Sequence, residues 1–456
     1  MIGFIFSFTL SFVTAYLILT RLWPKDVKFD SYFLTRVFLS LGLGAGLSSC
    51  AYFVAVTFVR FPYSYAIVDT VLLIISIACF FSRSQKNWRL LLAPPKSAIA
   101  STSSPSDKFL AYASLFMISA GLYVFVLRSF REPHGQWDAW AIWNVHARVL
   151  FRAGTDWQSF YSHIISNYPL LLPSCVARVW TYGRSDALAG PALMAFLFSA
   201  ACVGLLFAAL SAFRHTTAAR LSLLALLGTP FFLLHGASQY ADIPLAFFFL
   251  SAVVLLALHE ETSNAVFLPL AGLAAAMAGW TKNEGLFFLA VTAIALILKR
   301  LMQKKIKPLT KEMLLFVAGA LPVLALILFF KTAFLFDKGS PFIKPAASLA
   351  ETLLDLSRHV LVIKALTMKI LTLGKGWVGV PVLLIAYVAA KRSFAPSWLW
   401  LFPTGMIAGY YFVFVTTPYD LTWLLDLSLE RLLIQLWPMA LFVYFMSVER
   451  AEGKHD

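Results

Sequence analysis

Long apolar runs recur through almost the whole chain and constrain its fold more than any other feature. A run of some 18 or more mostly apolar residues crosses a hydrocarbon core of about 30 Å as a helix. The 456-residue sequence contains many such runs, separated by short charged breaks. Only 13% of its residues are charged and 60% are hydrophobic, with a mean hydropathy of +0.79. Soluble domains carry roughly a quarter charged residues, so the polar surface that water requires is missing. Strand-period alternation is absent, which excludes a β-barrel. The expected fold class is all-α, a polytopic transmembrane helix bundle.

Reading the apolar runs between charged breaks predicts about thirteen spans. They lie near 1–20, 37–59, 65–82, 109–127, 187–212, 220–236, 241–258, 265–280, 285–298, 313–333, 376–390, 397–415 and 432–447. The first run lacks a basic leader and a small-residue cleavage site, so it reads as a retained helix. The net charge of +15 does not point to nucleic acid, because the cations are dispersed over short loops. The loops 21–36, 83–108, 214–220, 299–311, 391–392 and the C-terminal tail hold 21 of the 37 Lys and Arg residues. Cationic loops stay on the cytoplasmic side. That predicts an outer N-terminus, a cytoplasmic C-terminus and residence in the inner, or plasma, membrane. The basic run 299–307 fits a topology anchor that also touches anionic lipid.

The Pro- and Ser-rich stretch Ala93–Lys108 reads as a cytoplasmic linker. It divides the chain into 1–108, a three-helix extension with its linker, 109–300, a membrane core, and 301–456, further spans with two outward loops. Cys50, Cys79, Cys175 and Cys202 are too far apart for a metal cluster or a disulfide framework. No phosphate-binding loop or dinucleotide fingerprint occurs, so no cofactor is implied. His134, His146 and His163 do not share a metal-ligand spacing.

Chemistry is expected in the outward loops 128–186, 334–375 and 416–431. In the first, Trp137, Trp140, Ala141, Asn144 and Arg148 fall at helical spacing, which predicts one amphipathic face at the membrane surface. The tryptophans fit either an interfacial anchor belt or a substrate wall. Asp138 lies among them, where partial desolvation would make it a better proton acceptor. Lys282 interrupts two apolar runs, and an intramembrane ammonium is costly unless it functions or finds a partner such as Glu284. Asp242 opens a helix, in a functional or a capping role. Arg431 is a second outer cation, able to clamp a phosphate or to pair with Asp426 or Glu430. Tyr168, Pro169 and Pro173 suggest a re-entrant turn or a kinked helix end.

The loop Gly135-Gln-Trp-Asp-Ala-Trp-Ala-Ile-Trp-Asn144 resembles the first extracytoplasmic loop of the GT-C-fold glycosyltransferases. These membrane enzymes use polyprenyl-phosphate-linked sugars and include protein O-mannosyltransferases and lipid A aminoarabinose transferases. Three later segments agree in order: Asn167-Tyr-Pro-Leu-Leu-Leu-Pro173, Tyr240-Ala-Asp-Ile-Pro-Leu-Ala-Phe-Phe248 and Trp280-Thr-Lys-Asn-Glu-Gly285. The resemblance covers 109–300, weakens over 301–456 and has no counterpart in 1–108.

It implies a transferase that moves a sugar from a polyprenyl-phosphate donor to a glycan, lipid or protein acceptor, with inversion. Asp138 would be the catalytic base, and Lys282 and Arg431 would bind the donor phosphate. Asp242, Trp137, Trp140, Asn144, Tyr168 and Glu284 would line the substrate site. Relatives often carry two adjacent loop acids. Here Ala139 follows Asp138, and Asp242 is the candidate for the second carboxylate. The rival expectations are a transporter or flippase of lipid-linked saccharides, with its ionisable groups nearer the bilayer midplane, and a catalytically inactive assembly subunit.

Overall fold

The computed structural model describes residues 2–24, 32–61, 63–82, 104–161, 168–304, 308–334, 346–373, 379–391 and 394–448. The described chain is almost entirely helical. Ten of its helices are long and apolar enough to cross a membrane, or eleven if one bent pair is a single span.

The first three long helices are α1 (Ile2–Leu22), α2 (Phe33–Val54) and α3 (Ser64–Phe81). α4 (Pro105–Arg131) starts where Ser104 caps the Asp107 amide and Pro105 fills the first turn, where a missing N–H costs nothing. After it come the short helices α5 (Asn144–Ala153), α6 (Trp157–Tyr161) and α7 (Leu171–Gly183). Then follow α8 (Ala189–Phe213), α9 (Thr216–Leu227), α10 (Pro230–Gly236) and α11 (Asp242–Thr262). The remainder comprises α12 (Phe267–Thr281), α13 (Asn283–Met302), α14 (Leu309–Phe334), α15 (Ala346–Leu354), α16 (Leu356–Leu371), α17 (Val380–Lys391), α18 (Leu401–Thr416) and α19 (Leu421–Ser447).

Three of the predicted spans are shorter or broken. The run 220–236 is bent by 73° between α9 and α10, where Gly228, Thr229 and Pro230 interrupt the helical ladder. The runs 265–280 and 376–390 appear as α12 and α17, both short of a full span. The outward loop predicted at 416–431 is largely helix, because α19 begins at Leu421, capped by Asp420.

α11 is the axis of the bundle. Its apolar window is wholly buried, as expected of a helix that is hydrophobic all round. It packs on α8, α12 and α19. α12 and α14 approach closely through small residues. A Cβ on Gly272 would lie 2.0 Å from the Phe316 carbonyl oxygen, and one on Gly319 1.9 Å from that of Pro269. This close backbone contact is the usual way apolar helices associate in lipid. α4 lies at the periphery with only 11% of its window buried. Its Phe116, Leu115 and Tyr123 are open to the surroundings, an arrangement suited to hydrocarbon and costly in water.

The predicted extension 1–108 is set apart by chain order and not by packing. α2 contacts α8 and α7, and α1 contacts α7. Ser49 donates to the Leu171 carbonyl at 2.9 Å and accepts from the Trp280 indole at 3.2 Å. Arg178 of α7 is buried against Asp69 of α3 at 2.8 Å, and it also donates to Ser7 and Ser11 of α1.

The described loop ends sort to two opposite ends of the bundle. At one, Trp23 meets Phe267, Tyr32 meets Phe213, Asp107 accepts from Thr217, Arg214 reaches the Met446 carbonyl and Lys299 pairs with Glu260. These contacts bring together the ends of the cation-rich loops. At the other end, Arg60 donates to Gln158 at 2.6 Å, Lys331 to Asn283 at 2.8 Å and Arg358 to the Thr417 carbonyl at 3.0 Å. Residues 132–161 and 168–170 lie at this second end.

Candidate active site

The loop after α4 is stitched to the turn between α10 and α11. The Gln136 amide donates to the Ser238 carbonyl at 3.2 Å, and Gln239 Nε2 donates to the Pro133 carbonyl at 3.1 Å. Asn144 Nδ2 donates to Gln239 Oε1 at 2.9 Å. Gly135 has φ +74°, and a Cβ there would lie 2.7 Å from the Ser238 carbonyl oxygen. Glycine is needed at this contact both for its backbone conformation and for its size.

The predicted single amphipathic face is not formed. Residues Ala139–Trp143 make a π-helical turn, in which the Asn144 amide donates to the Ala139 carbonyl. The wider turn rotates the following residues away from the preceding ones. Trp137 and Trp140 are 58% and 48% exposed and pack on each other, whereas Asn144 is 4% exposed. Trp143 is buried, with Tyr168 5.1 Å away between ring centroids. Arg148 lies over Trp180 and 3.9 Å from Asp186, away from the loop acid.

Asp138 therefore has a different setting from the one expected, an acid walled by tryptophans. Its carboxylate accepts from Arg431 Nη2 at 2.6 Å, and its amide donates to the Tyr240 hydroxyl at 3.1 Å. Arg431 stands in the third turn of α19, roughly 15 Å in from the helix start at 1.5 Å per residue. It is not in a loop, and its partners are neither Asp426 nor Glu430. Its guanidinium lies 4.7 Å from the Tyr240 ring centroid and donates to Asp242 Oδ2 at 2.9 Å.

Asp242 is the hub. It is wholly buried and accepts from Arg431, from Lys282 Nζ at 3.0 Å and from Gln435 Nε2 at 2.5 Å. His235 Nε2 lies 3.4 Å from its other oxygen. It makes no side-chain cap on α11, so the capping alternative does not hold. Burying this carboxylate is tolerable only because charged and polar partners saturate it.

Lys282 is the hinge between α12 and α13, with extended backbone at φ −150° and ψ 161°. Gly285 allows the chain to turn here, since a Cβ would meet the Ala278 carbonyl oxygen at 1.9 Å. The ammonium is buried and bridges Asp242 to Glu284 at 2.9 Å. Tyr168 completes the group. Burial pushes its phenol above the usual range, and the charges of Lys282, Glu284, Asp138 and Arg431 all reach it.

Compared with known proteins, the chain matches no family model, no curated protein and no solved structure.

Seven of the nine residues singled out from sequence thus gather around one charged cluster: Asp138, Asp242, Lys282, Glu284 and Arg431 directly, with the buried Asn144 and the half-buried Tyr168 nearby. Trp137 and Trp140 face outward from it. Sequence reading missed His235, Tyr240, Gln239 and Gln435. Gln435 carried a signal, being a polar residue one helical turn after Arg431 within an apolar run. Among the described residues, no group of three or more His, Cys, Asp or Glu could hold a metal ion. His163 and Asn167 lie outside the described residues.

Proposed function

We propose that the protein is an inverting membrane glycosyltransferase of GT-C type that uses a polyprenyl-phosphate sugar donor on the outer side of the membrane. The observation that carries this reading is the convergence of Asp138, Asp242, Lys282 and Arg431 from four separate chain segments. They meet at the bundle end opposite the cation-rich loops. On the positive-inside rule, that end is extracytoplasmic, periplasmic where an outer membrane exists.

In the reaction, the acceptor hydroxyl or amine gives its proton to the Asp138 carboxylate as it attacks the anomeric carbon. The bond from that carbon to the phosphate oxygen breaks, and its electron pair leaves with the polyprenyl phosphate. Arg431 and Lys282 stabilise the growing charge on the phosphate. Asp242 is too enclosed to touch substrate. It is a positioning residue that holds both cations in place, so Asp138 is the sole reacting carboxylate of this pair.

A groove of about 640 Å³ supports the lipid part of the reading. It is lined by Phe38, Leu115, Gly121, Phe207, Phe232 and Gly236 among others, and it runs between α4 and the α8–α10 face. Its lining includes Gly236, next in the chain to His235 of the charged cluster. α11, by contrast, has a wholly buried apolar window and offers no surface to a polyprenyl tail.

The test is donor turnover in lipid with a panel of polyprenyl-phosphate sugars and membrane extract as acceptor. Wild type should release polyprenyl phosphate, and Asp138→Asn should lose about 10²–10⁴-fold in rate, the range for a general base. Equal turnover by both forms would remove Asp138 from the chemistry. Movement of an intact lipid-linked sugar across the bilayer, with no bond broken, would make the protein a transporter.

A further inference from the structure

Arg431 has more acidic partners than one positive charge can serve. One guanidinium nitrogen, Nη2, contacts both Asp138 at 2.6 Å and Asp242 at 2.9 Å, while Nε reaches Asp242 at 3.3 Å. Asp242 is also held by Lys282 and Gln435 and lies wholly within the bundle, so it stays. Asp138 is different. Its side chain is partly open to the surroundings, and Arg431 is its one ionic partner among the described residues. Its backbone is held independently of that pair, by the hydrogen bond to Tyr240 and the stitching of the 132–144 loop to Ser238 and Gln239. The carboxylate can therefore let go of Arg431 by a side-chain rotation that leaves the loop in place.

We infer that the Asp138 carboxylate occupies, in the substrate-free protein, the anion site on Arg431 that the donor's phosphate takes when the lipid donor binds. This inference rests on the transferase reading above. The donor's phosphate is a diester with the same single negative charge as a carboxylate, and burial of its polyprenyl tail in the apolar groove tips the competition for the guanidinium toward it. Its arrival then frees Asp138 to accept the proton of the second substrate. Paired with Arg431, the same carboxylate oxygen is committed to the guanidinium hydrogen bond and is not free to receive a proton from an acceptor. The result is an obligatory order: donor first, then activation of the base, then the acceptor. Water or acceptor entering an empty site meets no free base.

The arrangement predicts an outcome that a simple base would not give. Removing the Asp138 charge should strengthen phosphate binding, because it removes a competitor. The probe is a polyprenyl monophosphate without sugar, bound to the full chain in lipid nanodiscs, so no turnover intervenes. Asp138→Asn should bind it roughly five- to ten-fold more tightly than wild type, the lower part of the range for coupling between sites. In an Arg431→Gln background the same substitution should change nothing. A second measurement uses wild type alone: carbodiimide and an amine should label Asp138 faster when the monophosphate is present, read by mass spectrometry. Equal or weaker binding by Asp138→Asn, a gain that persists without Arg431, or labelling that is unchanged or slowed would each overturn the competition. If wild type and all variants bind no polyprenyl monophosphate, the phosphate site itself fails, and with it the transferase reading.

Discussion

Asp242 and Arg431 are 189 residues apart in the chain and 2.9 Å apart in space, joining the start of α11 to the third turn of α19. With Lys282 on the same carboxylate, the contact ties three segments together below the 132–144 loop. Breaking a buried ion pair by removing one partner costs about 3–5 kcal/mol. Asp242→Ala leaves Arg431 with Asp138 and Lys282 with Glu284, which places the loss near the lower end of that range. The expected result is a clear fall in Tm in detergent together with loss of phosphate binding. An unchanged Tm would mean that the hub does not hold the helices.

Gly135 gives a local counterpart. Alanine there would take φ +74° and meet both the Ser238 carbonyl oxygen at 2.7 Å and the Ala139 methyl at 2.6 Å. A strained backbone of this kind costs roughly 1–3 kcal/mol. Gly135→Ala should lift the loop while leaving the helices folded. Hydrogen exchange would report it as faster exchange at the Gln136 amide, with protection in α11 retained. Normal protection at Gln136 would show that the loop does not depend on this glycine.

The Arg178–Asp69 pair separates structural charge from site charge. Both side chains are buried, and Tyr182 also donates to Asp69 at 2.8 Å. Arg178→Met should destabilise the protein by about 3–5 kcal/mol, since it strands Asp69. The fraction that remains folded should bind polyprenyl monophosphate as wild type does. A matching loss of binding affinity would assign this pair to the site.

Asp186 supplies a pH dependence outside the membrane spans. The Arg152 hydrogen bond holds its carboxyl below the ordinary value of 3.8, against the opposing effect of burial. Because the folded value is lowered, the pair stabilises fully above the ordinary range and loses its contribution as pH falls through the lowered value. The pair is well solvated, so Asp186→Asn should cost no more than about 1 kcal/mol at neutral pH. The difference between wild type and variant should shrink in strong acid and in high salt. A constant difference down to the acid limit would show that the charge contributes nothing.

The helices were largely legible in the sequence, because a span is announced by the local length of an apolar run. The breaks were less so. Pro230 marked the bend after α9, yet the hydropathy of 220–236 reads as continuous. Lys282 was visible as an interruption, and its cost in a membrane singled it out for attention. The single face drawn through Trp137, Asn144 and Arg148 failed because one π-turn changes the angular register, and no residue type encodes that extra residue. Arg431 seemed to belong to a loop because Asp420, Asp426 and Glu430 lower the mean hydropathy of what is in fact the start of a long helix.

The sequence by itself determined that this chain is a helical bundle with many helices long and apolar enough to cross a membrane, and it marked which residues are costly within them. Both follow from local quantities, the run length of apolar side chains and the solvation cost of a charge. Only the tertiary structure decided that Asp138, Asp242, Lys282 and Arg431 form one network, with Asp242 buried as the hub and Asp138 at the open edge. That outcome depends on how each helix is rotated about its axis and how deep each residue sits, which packing between distant segments sets and average polarity does not record.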